Sequence, residues 1–177
     1  MTLRLKSSII IIVLIIAISS CSVVDKLLTF TISNTATIKI ESGLPVGGVF
    51  EIVTPDITTN SSKEFENNNT KANLVKDVKL NSLNLTITDP SGKSFSFLKS
   101  VRLYISTDSS DEIELAYLED INTKVNTISL IPNTAKLDKY VKASSYKIRT
   151  KAVLKETVTK DITIDANMKF KVTADPF

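Results

Sequence analysis

From Phe30 onward, apolar and polar residues alternate with a period of two, in short runs separated by turn-forming residues. Phe30, Ile32, Ala36, Ile38 and Ile40 alternate with Thr31, Ser33, Thr37, Lys39 and Glu41, the pattern of a strand with one face buried and the other in water. Gly43-Leu44-Pro45 closes this strand and Gly47-Gly48 opens a shorter one over Val49 to Val53. Residues 54–73 are the least hydrophobic stretch, with Pro55, Asn60-Ser61-Ser62 and Asn67-Asn68-Asn69. Apart from one helical turn around Lys63 to Asn67 they read as a long surface loop, a kind of segment that is often functional, and here a lip for any binding site. Val78 and Leu80, then Leu83, Leu85 and Ile87, form a strand whose alternation slips at Asn81-Ser82, which predicts a β-bulge. Asp89-Pro90-Ser91-Gly92 follows as a turn with Pro second and Gly fourth. Further strands run through Val101, Leu103 and Ile105, through Ile113, Leu115 and Tyr117, and from Val125 through Ile128 to Leu130, where Pro132-Asn133 stops the last. Leu137, Tyr140 and Val141 stand at helical spacing, so residues 135–142 are expected to form one or two turns of helix over an end of the core.

The final two runs are the clearest. Tyr146, Ile148, Ala152 and Leu154 alternate with Lys147, Arg149, Lys151 and Lys155, and Ile162, Ile164, Ala166, Met168, Phe170 and Val172 alternate with Asp161, Asp165, Lys169 and Lys171. Paired as an antiparallel hairpin, one register matches both faces: Leu154 faces Ile162 and Tyr146 faces Phe170 inside, while Lys155 faces Asp161 and Lys151 faces Asp165 outside. About eight strands with one or two short helical turns, and no alternation of strands with helices, predict an all-β fold: an antiparallel β-sandwich, immunoglobulin-like in the broad sense. A small barrel or curled sheet with a lipid-sized interior is the alternative. The helical turn leading into Tyr146 is loosely similar to the tyrosine corner of Greek-key sandwiches, without the cysteines and tryptophan of true immunoglobulin domains.

Ahead of this domain the pattern changes. Arg4 and Lys6 precede an unbroken apolar run from Ile9 to Ile18, followed by Ser19-Ser20 and then Cys21, the only cysteine. This is the layout of an export signal. Ten residues span about 15 Å as a helix, half of a roughly 30 Å hydrocarbon core, too short for a stable anchor. The tetrad Ile18-Ser19-Ser20-Cys21 resembles the lipobox of bacterial lipoproteins. The resemblance implies cleavage between Ser20 and Cys21, diacylglycerol on the Cys21 thiol, and an acyl chain such as palmitate on its amine. Two or three chains give durable attachment where one would be marginal. Ser22 at the next position, where Asp would favour inner-membrane retention, implies the outer membrane. Residues 22–26, Ser-Val-Val-Asp-Lys, hold no acidic run of the kind linked to surface export, which favours the periplasmic side over the cell surface. The resulting organisation is a signal peptide over 1–20, a short lipidated tether over 21–28 and a single domain over 29–177. The tether is apolar (Val23, Val24, Leu27, Leu28) and brief, which holds the domain near the membrane.

Composition narrows the chemistry. The chain has 177 residues, 42% of them hydrophobic, with 4 Gly, 5 Pro, no Trp and no His. Without histidine the commonest general acid/base and metal ligand are missing, and with a single cysteine neither an internal disulfide nor a Cys/His zinc site is expected. The net charge of +3 includes Arg4 and Lys6; removing them leaves 20 basic and 19 acidic side chains, which offers no basic footprint for nucleic acid.

Five groups of residues have a candidate chemistry. Asp108, Asp111, Glu112 and Glu114 offer oxygen ligands for a hard cation, without the spacing or turn glycine of a calcium loop, and read rather as a solvated turn. Glu119-Asp120 with Glu112 or Glu114 would be the minimum for glycoside hydrolysis, but no tryptophan is present to stack a sugar. The serines have neither a Gly-x-Ser-x-Gly elbow nor the spacing of a Ser-Lys pair, and phosphate-cradling glycine loops are absent. Lys147, Arg149, Lys151 and Lys155 form a basic row suited to anionic headgroups unless Asp161 and Asp165 neutralise it. Phe95, Phe97, Tyr104 and Tyr117 are expected to fill the core rather than line a ligand slot. No catalytic residue, cofactor or metal is therefore expected. The expected function is a lipid-anchored, non-enzymatic structural or protein-interaction module at the outer membrane. Its partners would be membrane lipid through acylated Cys21 and another envelope protein. The alternative is a carrier of lipid or another hydrophobe, which needs a cavity inside the β-domain.

Overall fold

The computed structural model describes residues 28–175; the signal peptide, Cys21 and the tether up to residue 27 lie outside the described residues. The chain runs through β1 (Thr29–Ile40), β2 (Val49–Val53), β3 (Ile57–Thr58), α1 (Ser61–Asn67), β4 (Val75–Asp89), β5 (Leu98–Ser106), β6 (Ile113–Leu118), β7 (Thr127–Pro132), α2 (Asp138–Lys142), β8 (Ser145–Leu154) and β9 (Ile162–Ala174), with single 3-10 turns over Ala72–Leu74 and Phe95–Phe97. All pairings are antiparallel, in the order β1-β9-β4-β7-β6-β5-β8-β2, with β3 also on β8. The protein is thus an all-β antiparallel sandwich made from one continuous sheet. The fold line is the β6–β7 junction, where the pairing shortens to Ala116↔Pro132 and Tyr117↔Ile131 and one further bond from the Asn133 N–H to the Leu115 carbonyl at 2.9 Å. One layer is β1-β9-β4-β7, the other β6-β5-β8-β2.

The period-two pattern explains the layers. Ile32, Ala36, Ile38 and Ile40 of β1, Ile162, Ile164, Ala166, Met168, Phe170 and Val172 of β9, and Ile148, Ala152 and Leu154 of β8 are all at most 3% exposed, so alternate residues of each strand meet in the core. The bulge read at Asn81-Ser82 is present: the register of β4 on β9 shifts between Leu80 and Ser82. The helix expected over 135–142 is α2, with Leu137, Tyr140 and Val141 buried.

The predicted hairpin does not form. β8 pairs with β5 and β2, β9 with β1 and β4, and the two strands belong to opposite layers. The expected match of Tyr146 with Phe170 is real but crosses the core: the rings meet edge to face with centroids 6.5 Å apart. Two strands with matching inner rows bury them equally well when facing as when adjacent, so alternation alone does not distinguish the two. The 155–161 connection crosses between the layers, pinned by the buried Val158, whose carbonyl accepts from the Gly43 N–H at 3.1 Å. Nor is Tyr146 a tyrosine corner: its hydroxyl accepts from Asn34 Nδ2 on β1 at 3.0 Å, a bond between layers.

Two local readings also change. The 54–73 segment is an integral part of the domain. β3 extends the edge along β8, and α1 buries Phe65 against Phe30, with ring centroids 6.2 Å apart. The turn after β4 is displaced by one residue. Lys93 N–H donates to the Pro90 carbonyl at 3.2 Å, which puts Gly92 (φ +76°) third, where a positive φ is required.

Candidate interaction surface

Folding one sheet onto itself leaves two free edges, and here they lie side by side. β1 pairs only with β9, and β2 only with β8. Between them runs a surface groove of about 610 Å³, lined by Thr35, Ala36, Thr37 and Lys39 of β1 and by Ile52 through Thr58. Thr54 N–H donates to the Ile148 carbonyl at 2.9 Å, in register with Val53↔Arg149. The backbone groups of Ile52 and Phe50 share that direction, while those of Val49, Glu51 and Val53 point to the open side. The same three residues turn their side chains to solvent, and Val49 and Val53 are 60% and 56% exposed.

This edge is short because it is interrupted. Between Val53↔Arg149 and Ile57↔Tyr146, β2–β3 advances four residues against three on β8, a bulge containing Pro55. A proline has no N–H to offer a further strand, and bulges and prolines are the usual means of blunting a sheet edge. What stays open is a five-residue window, Val49–Val53, flanked by the apolar bed of Ile52 and Ile57. The sequence pattern marked this strand without distinguishing its edge; the signal was Val-Phe-Glu-Ile-Val, apolar on both faces where the other edge strand is Thr-rich outside.

Beside the groove, the outer face of β2-β8-β5-β6 holds a ladder of ion pairs. Arg149 links Glu51 (3.0 Å) to Glu112, which its Nε also reaches at 2.7 Å, and its guanidinium lies over the Tyr104 ring, 4.4 Å from the centroid. Lys151 joins Glu51 at 3.1 Å and Lys147 stands 3.6 Å from Asp56. Arg102 bridges Glu114 and Glu119, each at 2.7 Å, and lies 5.2 Å from the Tyr117 ring centroid. The hydrogen bond from Arg149 holds Glu112 below its ordinary range, and the bond from Lys151 does the same for Glu51.

Three members of the basic row, Lys147, Arg149 and Lys151, are therefore paired with acids, but not with the expected ones. Asp161 accepts from the Ser42 N–H at 2.9 Å, which lowers its pKa, Asp165 accepts from Thr37 Oγ1 at 3.1 Å, and Lys155 donates to the Ile121 carbonyl at 2.7 Å. The reason is the change of layer: Asp161 and Asp165 sit on the other side of the sandwich. Phe95 and Phe97 fill the core as expected, both 0% exposed. Tyr104 and Tyr117 do not; they lie half-buried on the outer face beneath the two arginines. The register of β5 on β6 shifts at Leu115, so Leu115 and Ala116 are both buried and Tyr117 is turned outward.

The acidic cluster is dispersed. Asp111 closes the β5–β6 turn by accepting from the N–H of Thr107 (2.8 Å) and of Asp108 (3.0 Å), from the Thr107 hydroxyl and from Lys139 Nζ at 2.8 Å. Partial desolvation pushes its pKa up, but these donors together hold it far below the ordinary carboxylate range. Asp108 accepts from the hydroxyl and the N–H of Ser110, and Tyr140 OH donates to the Asp111 carbonyl, tying α2 to the turn. Glu112 and Glu114 belong to separate arginines. Glu114 and Glu119 are brought together, with Arg102 between them, while Asp120 occupies a left-handed turn position (φ +49°). Among the described residues no group of three or more acidic, His or Cys side chains is placed to hold a metal ion. Nor is any described helix long and apolar enough to cross a membrane.

No family model matches the sequence, and no curated protein matches it. Among solved structures, the chain is similar to that in the acidic stable capsid structure of Helicobacter pylori bacteriophage KHP30 (9% identity over 84% of this chain and 99% of that one, TM-score 0.35). It is also similar to the BFDV capsid protein in its 60-mer crystal structure (13%, 84% and 93%, 0.37), and to FLHE (7%, 83% and 98%, 0.31). At such scores these likenesses say nothing about what the chain does.

Proposed function

We propose that the chain is a lipid-anchored envelope protein whose β-domain is a non-enzymatic interaction module, held at the periplasmic side of the outer membrane by acylated Cys21. It engages an extended segment of another envelope protein along the β1–β2 groove. The observation that carries this reading is the open window Val49–Val53, whose outward backbone groups lie along the β2 edge beside the groove and whose Val49 and Val53 side chains are exposed. An added strand gains main-chain hydrogen bonds for affinity and side-chain pockets for specificity. The carrier alternative draws less support. The inward side chains of both layers are buried against one another, and the groove lies on the surface with threonines, Lys39 and Asp56 on its rim.

A photo-crosslinking residue at Val53, and at Ser129 on the outer face of β7 as control, tests this in intact cells. The expected result is one discrete protein adduct from position 53 that disappears in a Cys21→Ser background, because the unlipidated protein leaves the membrane fraction. Equal adducts from both positions, or lipid recovered from position 53, would overturn the reading. A Cys21→Ser protein that stayed membrane-bound at its mature size would overturn the lipid anchor itself.

A further inference from the structure

The two poles of the sandwich differ in their relation to the anchor. One pole holds Leu28 and Thr29, α1, the 3-10 turn Ala72–Leu74, the β5–β6 turn closed by Asp111, α2 and Asp175, which is tied through its N–H to the Leu74 carbonyl at 2.8 Å and through its carboxylate to Lys76. The other holds the connections 41–48, 90–97, 119–126 and 155–161. β9 runs between the poles with 13 residues, about 40 Å at roughly 3.3 Å per residue.

We propose that the α1–α2 pole is apposed to the phospholipid headgroup layer and that the opposite pole points away from the membrane. The inference rests on the lipid anchor at Cys21 and on the chain length that follows it. Eight residue steps separate Cys21 from Thr29, at most about 29 Å fully extended and about 15 Å as a coil. An inverted domain, standing on its far pole, would lift Thr29 about 40 Å above the surface, beyond that reach. The surface of the near pole suits headgroups rather than the hydrocarbon core. Lys63 and Lys71 flank Glu64 and Glu66 along α1 and the segment after it, and among the described residues the large exposed hydrophobics lie elsewhere, at Val46 and Val125 on the far pole, Val49 and Val53 on β2 and Ile131 on β7. The domain therefore stands on the membrane without inserting. Its β2 window opens on the flank, and Val46 and Val125 are presented to whatever lies beyond.

Because Cys21 is the only cysteine and its thiol is consumed by lipid, an introduced cysteine is a unique label. Full-length lipidated protein with Lys63→Cys on α1, or Ser91→Cys on the far pole, is labelled with bimane and reconstituted into phospholipid vesicles containing a headgroup spin-labelled lipid. Both positions are solvent-exposed, so neither change should disturb folding. The expected result is several-fold stronger quenching from position 63 than from 91. Equal quenching, which would mean a domain lying on its side, or stronger quenching from 91, overturns the proposal while leaving the anchor intact. If the parent protein itself takes up bimane at Cys21 and fails to float with vesicles, the anchor is wrong and the orientation falls with it.

Discussion

Replacing Tyr146 by Phe isolates a side-chain hydrogen bond that joins the two layers through the core. The side chain is 1% exposed, its ring meets Phe170 edge to face, and its hydroxyl accepts from Asn34 Nδ2 at 3.0 Å. The variant keeps the ring and deprives a half-buried amide of its partner, which at neutral pH costs about 1 kcal/mol. Burial pushes the hydroxyl up to about 12 from 10.0, against the opposing effect of the Asn34 bond. The folded state therefore keeps this proton where the unfolded chain has lost it, and stability falls as pH rises. The contribution of Tyr146 is intact below pH 10 and is lost as pH climbs through about 12. The full loss is about 2.7 kcal/mol, and about 2 kcal/mol of it is gone by about pH 11.5. Whatever else changes with pH is common to both proteins and cancels in the difference. Urea unfolding of parent and Tyr146→Phe should show the variant less stable by about 1 kcal/mol at about pH 8 and more stable by about 1 kcal/mol at about pH 11.5. A stability gap independent of pH over that range would refute the placement of this hydroxyl inside the sandwich.

Phe65→Ala tests whether residues 54–73 belong to the core. With Phe65 2% exposed against Phe30, urea unfolding should register a loss of about 3–5 kcal/mol, whereas a residue on a mere surface lip would change stability by no more than about 0.5 kcal/mol. Asp111→Asn tests the closure of the β5–β6 turn. The Asp111 carboxylate titrates below its ordinary 3.8, so its stabilisation is present above that pH and is lost as pH falls through the lower folded value. The parent should therefore lose Tm more steeply than the variant across the acid limb of a calorimetric pH series, and parallel limbs would show that the donors around Asp111 contribute nothing.

Much of the fold was legible because burial on one face leaves a period-two trace. β1, β2, β8 and β9 lie within about two residues of where the alternation put them, and the slip at Asn81-Ser82 is a bulge because an extra residue must change the face of all that follow. Tyr117 was put on the wrong face because of another bulge: the register shift at Leu115 has no trace in Ile113-Glu114-Leu115-Ala116-Tyr117, since alanine fits either face. The interaction surface was the least legible part. Nothing in Val-Phe-Glu-Ile-Val states which side of the strand has a neighbour, and an edge is a property of the whole sheet order.

The sequence by itself determined which residues face inward, where the chain turns, that the chemistry of histidine and disulfides is absent, and that Cys21 sits in a lipobox-like segment. These are local facts, expressed in residue type and spacing. Only the tertiary structure decided what each strand lies beside. Matching inner rows on β8 and β9 bury the same apolar area whether the strands pair or face each other, and the charges on their outer faces accept whatever partners the layer order supplies. Arg149 therefore pairs with Glu51 and Glu112 rather than with the acids nearest in sequence pattern, and the open window at Val49–Val53 exists because folding one sheet onto itself leaves two edges that do not close.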